Sequence, residues 1–361
     1  MKVLLVTTIE RGGPVEHARL LARDLVAAGA VVRVVAASTG AAEAFARAGS
    51  DPVVVRSRSP WDAMSARRVR RLGRDVDVVH SHDRRSGLWC LAGRRPGPGT
   101  ARVHTLHGLP DVLVPLPGAP AGTLRRHRLA YGTVEGRLVG RADVLIVPSR
   151  ALLRRATDAG YRTTLATIIP NGVDVDRHAG GGAEVGMLTA LERVKGVEVF
   201  IRAASLLHRD DPSSRFVVFG DGSERDELQA MATQAGLDGV MRFPGHVPAA
   251  VALAELRVLV VSSHFENSPM AVLEAMAARV PVVATRVGGI PEMAPPDTLV
   301  TVPPDDPAAL AEAVRRTVSD EAGTTARIGR AREHIEAHRS APATAAAVEA
   351  AYRDALDRSA R

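Results

Sequence analysis

Short apolar runs alternate with longer helical patterns along the whole chain. The first three are an apolar run from Val3 to Thr8, a helical pattern from about Val15 to Ala28, and an apolar run from Val31 to Ala36. A strand, a helix and a strand in this order form a βαβ unit, which builds parallel sheets covered by helices. Hydrophobic residues make up 46% of the chain and aromatic residues only 3%, which suits buried parallel strands of Val, Leu and Ile. The alternation therefore predicts an α/β protein.

Further apolar runs divide into two groups. In the first half, strands are predicted at Val53 to Val55, Val76 to His80, Arg102 to Leu106, Val144 to Val147 and Thr167 to Ile169. In the second half, they are predicted at Val185 to Leu188, Arg215 to Phe219, Met241 to Phe243, Val258 to Ser262, Val280 to Ala284 and Leu299 to Val302. A polar, glycine-containing stretch separates the two groups, as expected for two domains.

A chain of 361 residues also exceeds the usual size of one domain. We predict an N-terminal domain over residues 1–172, a linker over 173–184 and a C-terminal domain over 185–340. An Ala-rich helix over 341–361 is expected to pack back across the domains.

Composition excludes several classes of protein. The formal net charge is +7, but the arginines are spread along the chain without interleaved aromatic residues, which argues against a nucleic-acid-binding protein. A single cysteine, Cys90, permits no intrachain disulfide and fits a reducing compartment. The sequence shows neither a leader pattern nor an apolar run long enough to span a membrane, so a cytoplasmic location is predicted.

Ligands of open parallel sheets bind beyond the carboxyl ends of the strands. Gly12 and Gly13 follow the first predicted strand and open a helix, whose amides and positive end could hold an anion. A tight structural turn is the alternative for these glycines. His80, His82 and His107 also end or follow strands. The alternative for His107 is a buried, hydrogen-bonded histidine with no catalytic role.

Residues 264–276, HFENSPMAVLEAM, carry the strongest signal. They read as a strand end, a loop and a helix start, with Asn267 or Ser268 as the cap and Pro269 in the first turn. The free amides of such a turn can hold a diphosphate, and Glu274 can accept hydrogen bonds from vicinal hydroxyls such as those of a ribose. Glu266 precedes the helix and would face a sugar ring. The alternative is a capped helix with two exposed glutamates.

The two glutamates, separated by seven residues, resemble the signature of the family-4 glycosyltransferases. Further motifs of this resemblance cover nearly the whole chain: Pro170 to Asp174, Lys195-Gly196, Phe219 to Gly222, Phe243 to Val247, and Gly288 to Glu292. The resemblance implies the GT-B fold, in which two facing Rossmann-like domains enclose a central donor and acceptor cleft.

By that resemblance, the catalytic residues are His107 beside the reacting sugar, Glu266 on the transferred sugar and Lys195 on the leaving diphosphate. The donor-binding residues are Gly12, Gly13, Arg193, Lys195, Gly220, Val247, Asn267, Ser268, Pro269, Met270, Ala271, Val272 and Glu274. The acceptor-side candidates, which follow a first-domain strand, are His80, His82 and Asp83. No metal site is predicted, because no further ligand cluster accompanies these histidines in the sequence.

One position departs from the family pattern. The family carries an arginine five residues before the lysine, where this chain has Ala190. Arg193 is the candidate replacement for the missing phosphate-binding charge, and a weaker affinity for the donor is the alternative. Lys195 itself has the alternative of a solvent-facing lysine.

The implied activity is that of a retaining glycosyltransferase that moves a sugar from a nucleoside-diphosphate sugar, UDP-sugar first, to a hydroxyl. The acceptor would be a glycan, a lipid-linked molecule or a small natural product. Lysine and helix-end amides would stabilise the leaving diphosphate, so neither a metal nor another cofactor is expected. The alternatives are a catalytically impaired nucleotide-sugar-binding scaffold, and an epimerase or phosphorylase with the same fold.

An apolar, proline-rich segment from Leu109 to Pro117 is followed by a basic cluster, Arg125 to Arg128. Two interpretations stay open. The segment either contacts a lipid-linked acceptor at the inner face of the membrane, or it packs on the first domain. Another basic cluster runs from Arg67 to Arg74, and the sequence does not predict an oligomeric state.

Overall fold

A computed structural model describes residues 1–57, 59, 62–110, 134–176 and 180–360. Residues up to Gly172 and from Ala341 onward form one compact unit, and Val173 to Ser340 form a second. Most of the proline-rich segment and all of Arg125 to Arg128 lie outside the described residues. No described helix is both long enough and apolar enough to cross a bilayer.

The first unit contains a parallel sheet. Its described strands are β1 (Lys2–Val6), β2 (Val31–Ala36), β3 (Asp51–Val54), β4 (Val78–Ser81), β5 (Ala101–Thr105), β6 (Val144–Val147) and β7 (Ala166–Ile168). Their order in space is β3-β2-β1-β4-β5-β6-β7. The labelled helices between them are α1 (Gly13–Ala27), α2 (Thr39–Arg47), α3 (Ala63–Leu72), α4 (Arg84–Leu91) and α5 (Arg150–Asp158).

The second unit repeats this plan. Its described strands are β8 (Glu184–Leu188), β9 (Phe216–Phe219), β10 (Met241–Gly245), β11 (Leu256–Val261), β12 (Val282–Thr285) and β13 (Val300–Val302), in the order β10-β9-β8-β11-β12-β13. Its helices are α6 (Val197–Asp210), α7 (Arg225–Gln234), α8 (Ala249–Glu255), α9 (Met270–Ala277), α10 (Pro307–Ser319) and α11 (Glu321–His338). The last helix of the chain is α12 (Ala341–Ser359).

The predicted α/β class and its parallel strands are confirmed. Central strands such as β4 and β9 are buried at every residue, because helices cover both faces of a parallel sheet. Such strands therefore appear in the sequence as continuous apolar runs. The second core is filled by aliphatic residues together with Phe200 and Phe216, whose rings meet edge to face at 6.1 Å.

In each sheet the first strand in sequence lies inside the sheet, and later strands of the chain are added on both sides of it. Strand β1 pairs with β2 on one side and β4 on the other, and β8 pairs likewise with β9 and β11. Loops that leave such a strand and its neighbour diverge, so their ends form the crevice in which doubly wound sheets bind ligands. The segments after β1, β4, β8 and β11 are therefore the first places to look for a site.

The C-terminal helix α12 belongs to the first unit. Val348 and Tyr352 are fully buried in its core, where the helix contacts α1 and β5. The stretch expected as a linker packs within the second unit as far as it is described, since Gly180 donates its amide hydrogen to the carbonyl of Ala278. Gly182 lies so close to Glu255 that an added Cβ would meet its backbone at 1.9 Å.

The position of α12 leads to a prediction about stability. Replacing Val348 by Ala removes two buried methyl groups, and we expect this to destabilise the first unit by about 2–3 kcal/mol. Both tryptophans of the chain precede Gly172, so tryptophan fluorescence during denaturant unfolding measures this unit. The matched control is V31A, because Val31 is 65% exposed. Equal stabilities of V348A and V31A would contradict the packing of α12.

Candidate active site

Two predicted site residues of the second unit, 71 positions apart in sequence, form an ion pair. Lys195 Nζ donates a hydrogen bond to Glu266 Oε1 at 2.7 Å, and Ser263 Oγ donates to the same oxygen at 2.9 Å. Glu266 is buried, and Lys195 is partly exposed. A buried carboxylate needs such partners, because an unpaired buried charge is strongly destabilising.

The turn at Gly196 places Lys195 beside Glu266. Gly196 has φ +59°, and an added Cβ would lie 2.2 Å from the carbonyl oxygen of Ser262. Only glycine permits this close approach. Ser262 Oγ donates to the Gly196 carbonyl at 2.7 Å, and the His264 amide donates to the Val194 carbonyl at 2.9 Å. The loop after β8 is thus attached to the loop after β11.

His264 adds a charged contact to this attachment. Its Nε2 lies 2.7 Å from Glu198 at the start of α6, and its Nδ1 lies 2.7 Å from Asp305. The hydrogen bond to Glu198 raises the pKa of His264, while burial acts in the opposite direction. The imidazole of His264 therefore links the helix that follows Lys195 to the segment that carries Glu266.

The helix α9 begins differently from the prediction. Pro269 occupies the N-cap position with extended backbone angles, and its own side chain makes no cap hydrogen bond. The prediction that Asn267 or Ser268 is the N-cap is therefore wrong, because Pro269 is itself extended and the helical angles begin one residue later, at Met270. Glu274, one turn further, is buried.

Glycine turns support Glu266 and the loop after β8. Gly288 has φ +52°, an added Cβ there would lie 1.8 Å from the Glu266 carbonyl oxygen, and the Gly289 amide donates to that oxygen at 2.9 Å. Gly220 lies equally close to Thr189, with 1.7 Å between an added Cβ and the carbonyl oxygen. The glycine motifs of the second unit thus allow close contacts between backbones.

Ala190 is exposed at the end of the β8 segment, where the sequence lacks the expected arginine. Arg193 is also exposed and lies in a short 3₁₀ turn that ends at Lys195. The pKa of Glu224 is raised, mainly by burial, and the nearby charge of Arg193 offsets part of this rise. Val247 is half-buried in the segment after β10.

In the first unit, Gly12 is the N-cap of α1 with φ +101°, and Gly13 is the first residue of the helix. An added Cβ at Gly12 would have no heavy atom within 4 Å, so a bound group can approach this backbone. No side chain caps α1. The positive end of the helix is therefore presented by backbone amides alone.

Two acceptor-side candidates have structural positions instead. His80 is completely buried, with Nδ1 2.7 Å from the Tyr352 hydroxyl and Nε2 2.7 Å from Thr105 Oγ1. Asp83 caps α4 and accepts hydrogen bonds from the amide and hydroxyl of Thr8, both at 2.6 Å. His80 lies within β4 and Asp83 lies two residues after it, and the side chains of both are committed to the fold of the first unit.

His82 and His107 meet a residue that the sequence analysis missed. The ring of His17, on α1, lies 5.0 Å from that of His107 and 5.7 Å from that of His82. Burial lowers the pKa of His17 to about 4 and holds the pKa values of His82 and His107 well below the usual range. All three imidazoles are therefore neutral at pH 7. A histidine on the buried face of α1, one turn after Gly13, was the available signal.

Comparisons with known proteins decide the family. A family profile described as Glycosyltransferase Family 4 matches residues 11–177, and one described as Glycosyl transferases group 1 matches residues 183–320. The glycogen synthase of Mycobacterium tuberculosis is 31% identical over 288 residues, which cover 74% of this chain and 67% of that protein. The chain belongs to the family-4 glycosyltransferases.

Other glycosyltransferases share parts of the sequence or the fold. The D-inositol 3-phosphate glycosyltransferase of Corynebacterium jeikeium is 29% identical over 249 residues, covering 61% of this chain and 58% of that protein. The Anabaena protein HepE, solved with UDP and glucose, has a TM-score of 0.82 at 18% identity, covering 98% of this chain and 99% of that chain. Sucrose-phosphate synthase of Thermosynechococcus elongatus has a TM-score of 0.79 at 20% identity, covering 98% of each chain. These structures establish the GT-B fold.

The raised pKa of His264 predicts how stability depends on pH. A group whose pKa is higher in the folded state stabilises the fold below its unfolded value of about 6.5, and this contribution is lost as the pH rises through the folded value. We therefore expect the free energy of unfolding to fall between about pH 6 and pH 9 by more in the unaltered glycosyltransferase than in H264Q. Denaturant unfolding followed by circular dichroism measures this difference.

The control variant is H338Q, which removes an exposed histidine of the same unit. Its pH dependence should match that of the unaltered chain. If H264Q shows the same slope as the unaltered chain, then His264 does not carry the proton that links Glu198 to Asp305.

Proposed function

We propose that this family-4 glycosyltransferase transfers a sugar from a UDP-sugar to a hydroxyl of its acceptor, with retention of configuration and without a metal at the donor. The observation that carries this proposal is the Lys195–Glu266 ion pair, held by the Gly196 turn in the same unit as the N-terminal turn of α9. A mobile cation and helix-end amides are the groups needed to bind a diphosphate leaving group.

The donor nucleotide is assigned to the second unit. Glu274 accepts hydrogen bonds from the ribose hydroxyls, and the segment from Asn267 to Val272 surrounds the phosphates, which its helix-end amides bind. Gly220 and Val247 contribute backbone to the same donor site. The solved HepE structures contain UDP, UDP and glucose, or UDP-glucose, which supports a uridine nucleotide as the first donor to test.

Lys195 has two states in this proposal. Without donor it pairs with Glu266 at 2.7 Å, and with donor its ammonium contacts the diphosphate. The negative charge that builds on the departing nucleotide is then stabilised by a positioned cation, which lowers the barrier without a divalent ion. Glu266, released from the lysine, contacts the sugar. The acceptor hydroxyl attacks on the face from which the diphosphate departs.

From the first unit, we propose that His107 contacts the transferred sugar and steadies the positive charge of the transition state by hydrogen bonding. Its neutral imidazole can accept as well as donate a hydrogen bond. Gly12 and Gly13 contribute the open N-terminus of α1 to an anionic part of the substrates. His82 remains the acceptor-side candidate, since His80 and Asp83 have structural positions.

The acceptor is proposed as a glycan, a lipid-linked molecule or a small natural product. The relatives range from glycogen synthase and D-inositol 3-phosphate glycosyltransferase to an alpha-D-kanosaminyltransferase of Streptomyces kanamyceticus. A cytoplasmic enzyme that touches the inner face of the membrane fits the exposed surface of α3. Met64 is 79% exposed there, beside the exposed arginines Arg67, Arg68, Arg71 and Arg74.

Nucleotide binding is the first test. We expect UDP to bind the purified chain in calorimetry, with unchanged affinity in EDTA, and to bind about 10 to 100 times more weakly to K195A and to E274A. Each variant loses a charged hydrogen bond worth about 1.5–3 kcal/mol. The control is R209A, which removes an exposed cation at the far end of α6.

If no nucleoside diphosphate binds, the donor proposal is wrong and the scaffold alternative is favoured. If UDP binds, incubation with UDP-sugars and acceptor hydroxyls separates the remaining alternatives. A glycosyltransferase releases UDP only as the sugar is transferred, whereas an epimerase changes the sugar and keeps it attached to the nucleotide.

Ala190 provides a gain-of-function prediction. Restoring the family arginine in A190R adds a cation near the diphosphate, so we expect UDP to bind about tenfold more tightly, the change that a charged hydrogen bond of about 1.5 kcal/mol gives. The variant A190M has similar bulk without the charge and should not strengthen binding. Unchanged affinity in A190R, with R193A weakened, would show instead that Arg193 already supplies this charge.

A further inference from the structure

Three imidazoles from three separate elements meet in the first unit. His17 lies on α1, His82 directly follows β4, and His107 follows β5. One ring nitrogen of each lies within 4.8 Å of those of the other two. Nitrogens bound to one tetrahedral zinc ion are about 3.3 Å apart. Small rotations of the rings would therefore bring the three nitrogens to bonding distance of a single ion.

Ring nitrogens of His17 and His82 are not satisfied by the fold in the way that those of other histidines are. His82 is completely buried, and neither of its nitrogens makes a hydrogen bond within the part of the chain that the structure describes. The same holds for His17 Nε2. By contrast, both nitrogens of His80 are hydrogen-bonded, and His104 bonds to Ser81. Unpaired buried polar atoms destabilise a fold, which points to a bound partner.

The chemistry of the cluster selects the kind of partner. An unprotonated imidazole offers a lone pair on one ring nitrogen, as metal coordination requires. Asp83 is nearby in sequence, but Thr8 already binds both of its oxygens. An all-nitrogen site favours zinc and similar transition metals over magnesium or calcium, which prefer oxygen ligands.

We propose that His17, His82 and His107 form a binding site for a zinc-class divalent metal, with the fourth coordination position open, and that metal binding inhibits sugar transfer. The inhibition rests on the proposed role of His107, because the ring nitrogen that coordinates the metal can no longer hydrogen-bond the transferred sugar and the bound ion fixes the orientation of the ring. The site itself is independent of that role, since it lies wholly within the first unit.

Zinc titration tests the site. The full chain, freed of any purification tag, is titrated with zinc chloride in calorimetry at pH 7, and one ion per chain is expected. We expect H17N and H82N each to weaken zinc binding by more than about tenfold, since each removes a ligand. Magnesium chloride should give no binding.

The matched control is H338N. His334 and His338 lie one turn apart on α11 with ring centroids 5.0 Å apart, which makes them a competing histidine pair in the second unit. The control should bind zinc as tightly as the unaltered chain. Zinc binding that is absent, or that is lost in H338N and kept in H17N and H82N, overturns the proposal.

Further measurements guard against misfolded variants and separate the two proposals. Circular dichroism and tryptophan fluorescence check each fold, and bound Co²⁺ should show tetrahedral visible absorption in the unaltered chain and H338N but not in H17N or H82N. Zinc should slow sugar transfer in the unaltered chain and H338N alike, with EDTA restoring the rate. Zinc bound without inhibition overturns the regulatory half. If UDP fails to bind while zinc binds, only the donor proposal fails.

Discussion

The parallel pairing of the first strand in each sheet with two neighbours is the constraint on which the rest depends. Because β1 lies between β2 and β4, and β8 between β9 and β11, the loops that follow these strands diverge from a common edge. Every candidate residue lies at the carboxyl end of a parallel strand, on the loop that follows it or on the next helix, and most of them follow β1, β4, β8 or β11. The pairing of the strands thus determines in which part of each unit the candidate residues lie.

In the second unit, the same strand order brings two oppositely charged side chains into contact. Lys195 leaves β8 and Glu266 leaves β11, and their pairing offsets the cost of burying the carboxylate. The contact depends on glycines at 196 and 288, which let backbones approach more closely than any side chain permits. His264 reinforces the arrangement through Glu198. If a donor phosphate draws Lys195 away from Glu266, the backbone on both sides of the pair is still held in place by these glycine contacts and by His264.

In the first unit, the candidate residues are buried histidines and not an ion pair. Desolvation lowers the pKa values of His17, His82 and His107, so this region carries neutral hydrogen-bonding and metal-binding groups at pH 7. His80 lies beneath His82, with ring centroids 4.0 Å apart, and is held by Tyr352 of the C-terminal helix. The end of the chain therefore helps to position His80 in β4 and His82 directly after it.

The sequence by itself determined the two sheets and the family. Buried parallel strands appear as continuous apolar runs, so their positions were predicted to within two residues, and the segment from Glu266 to Glu274 is contiguous. It did not reveal α11, whose buried residues are only Thr324, Ala331 and Ile335, too few for a clear apolar stripe. Contacts between distant residues were decided by tertiary structure alone. Spacing along the chain does not report which loops a sheet brings together, so the Lys195–Glu266 pair, the arrival of His17 at His82 and His107, and the burial of Tyr352 in the first unit required the fold.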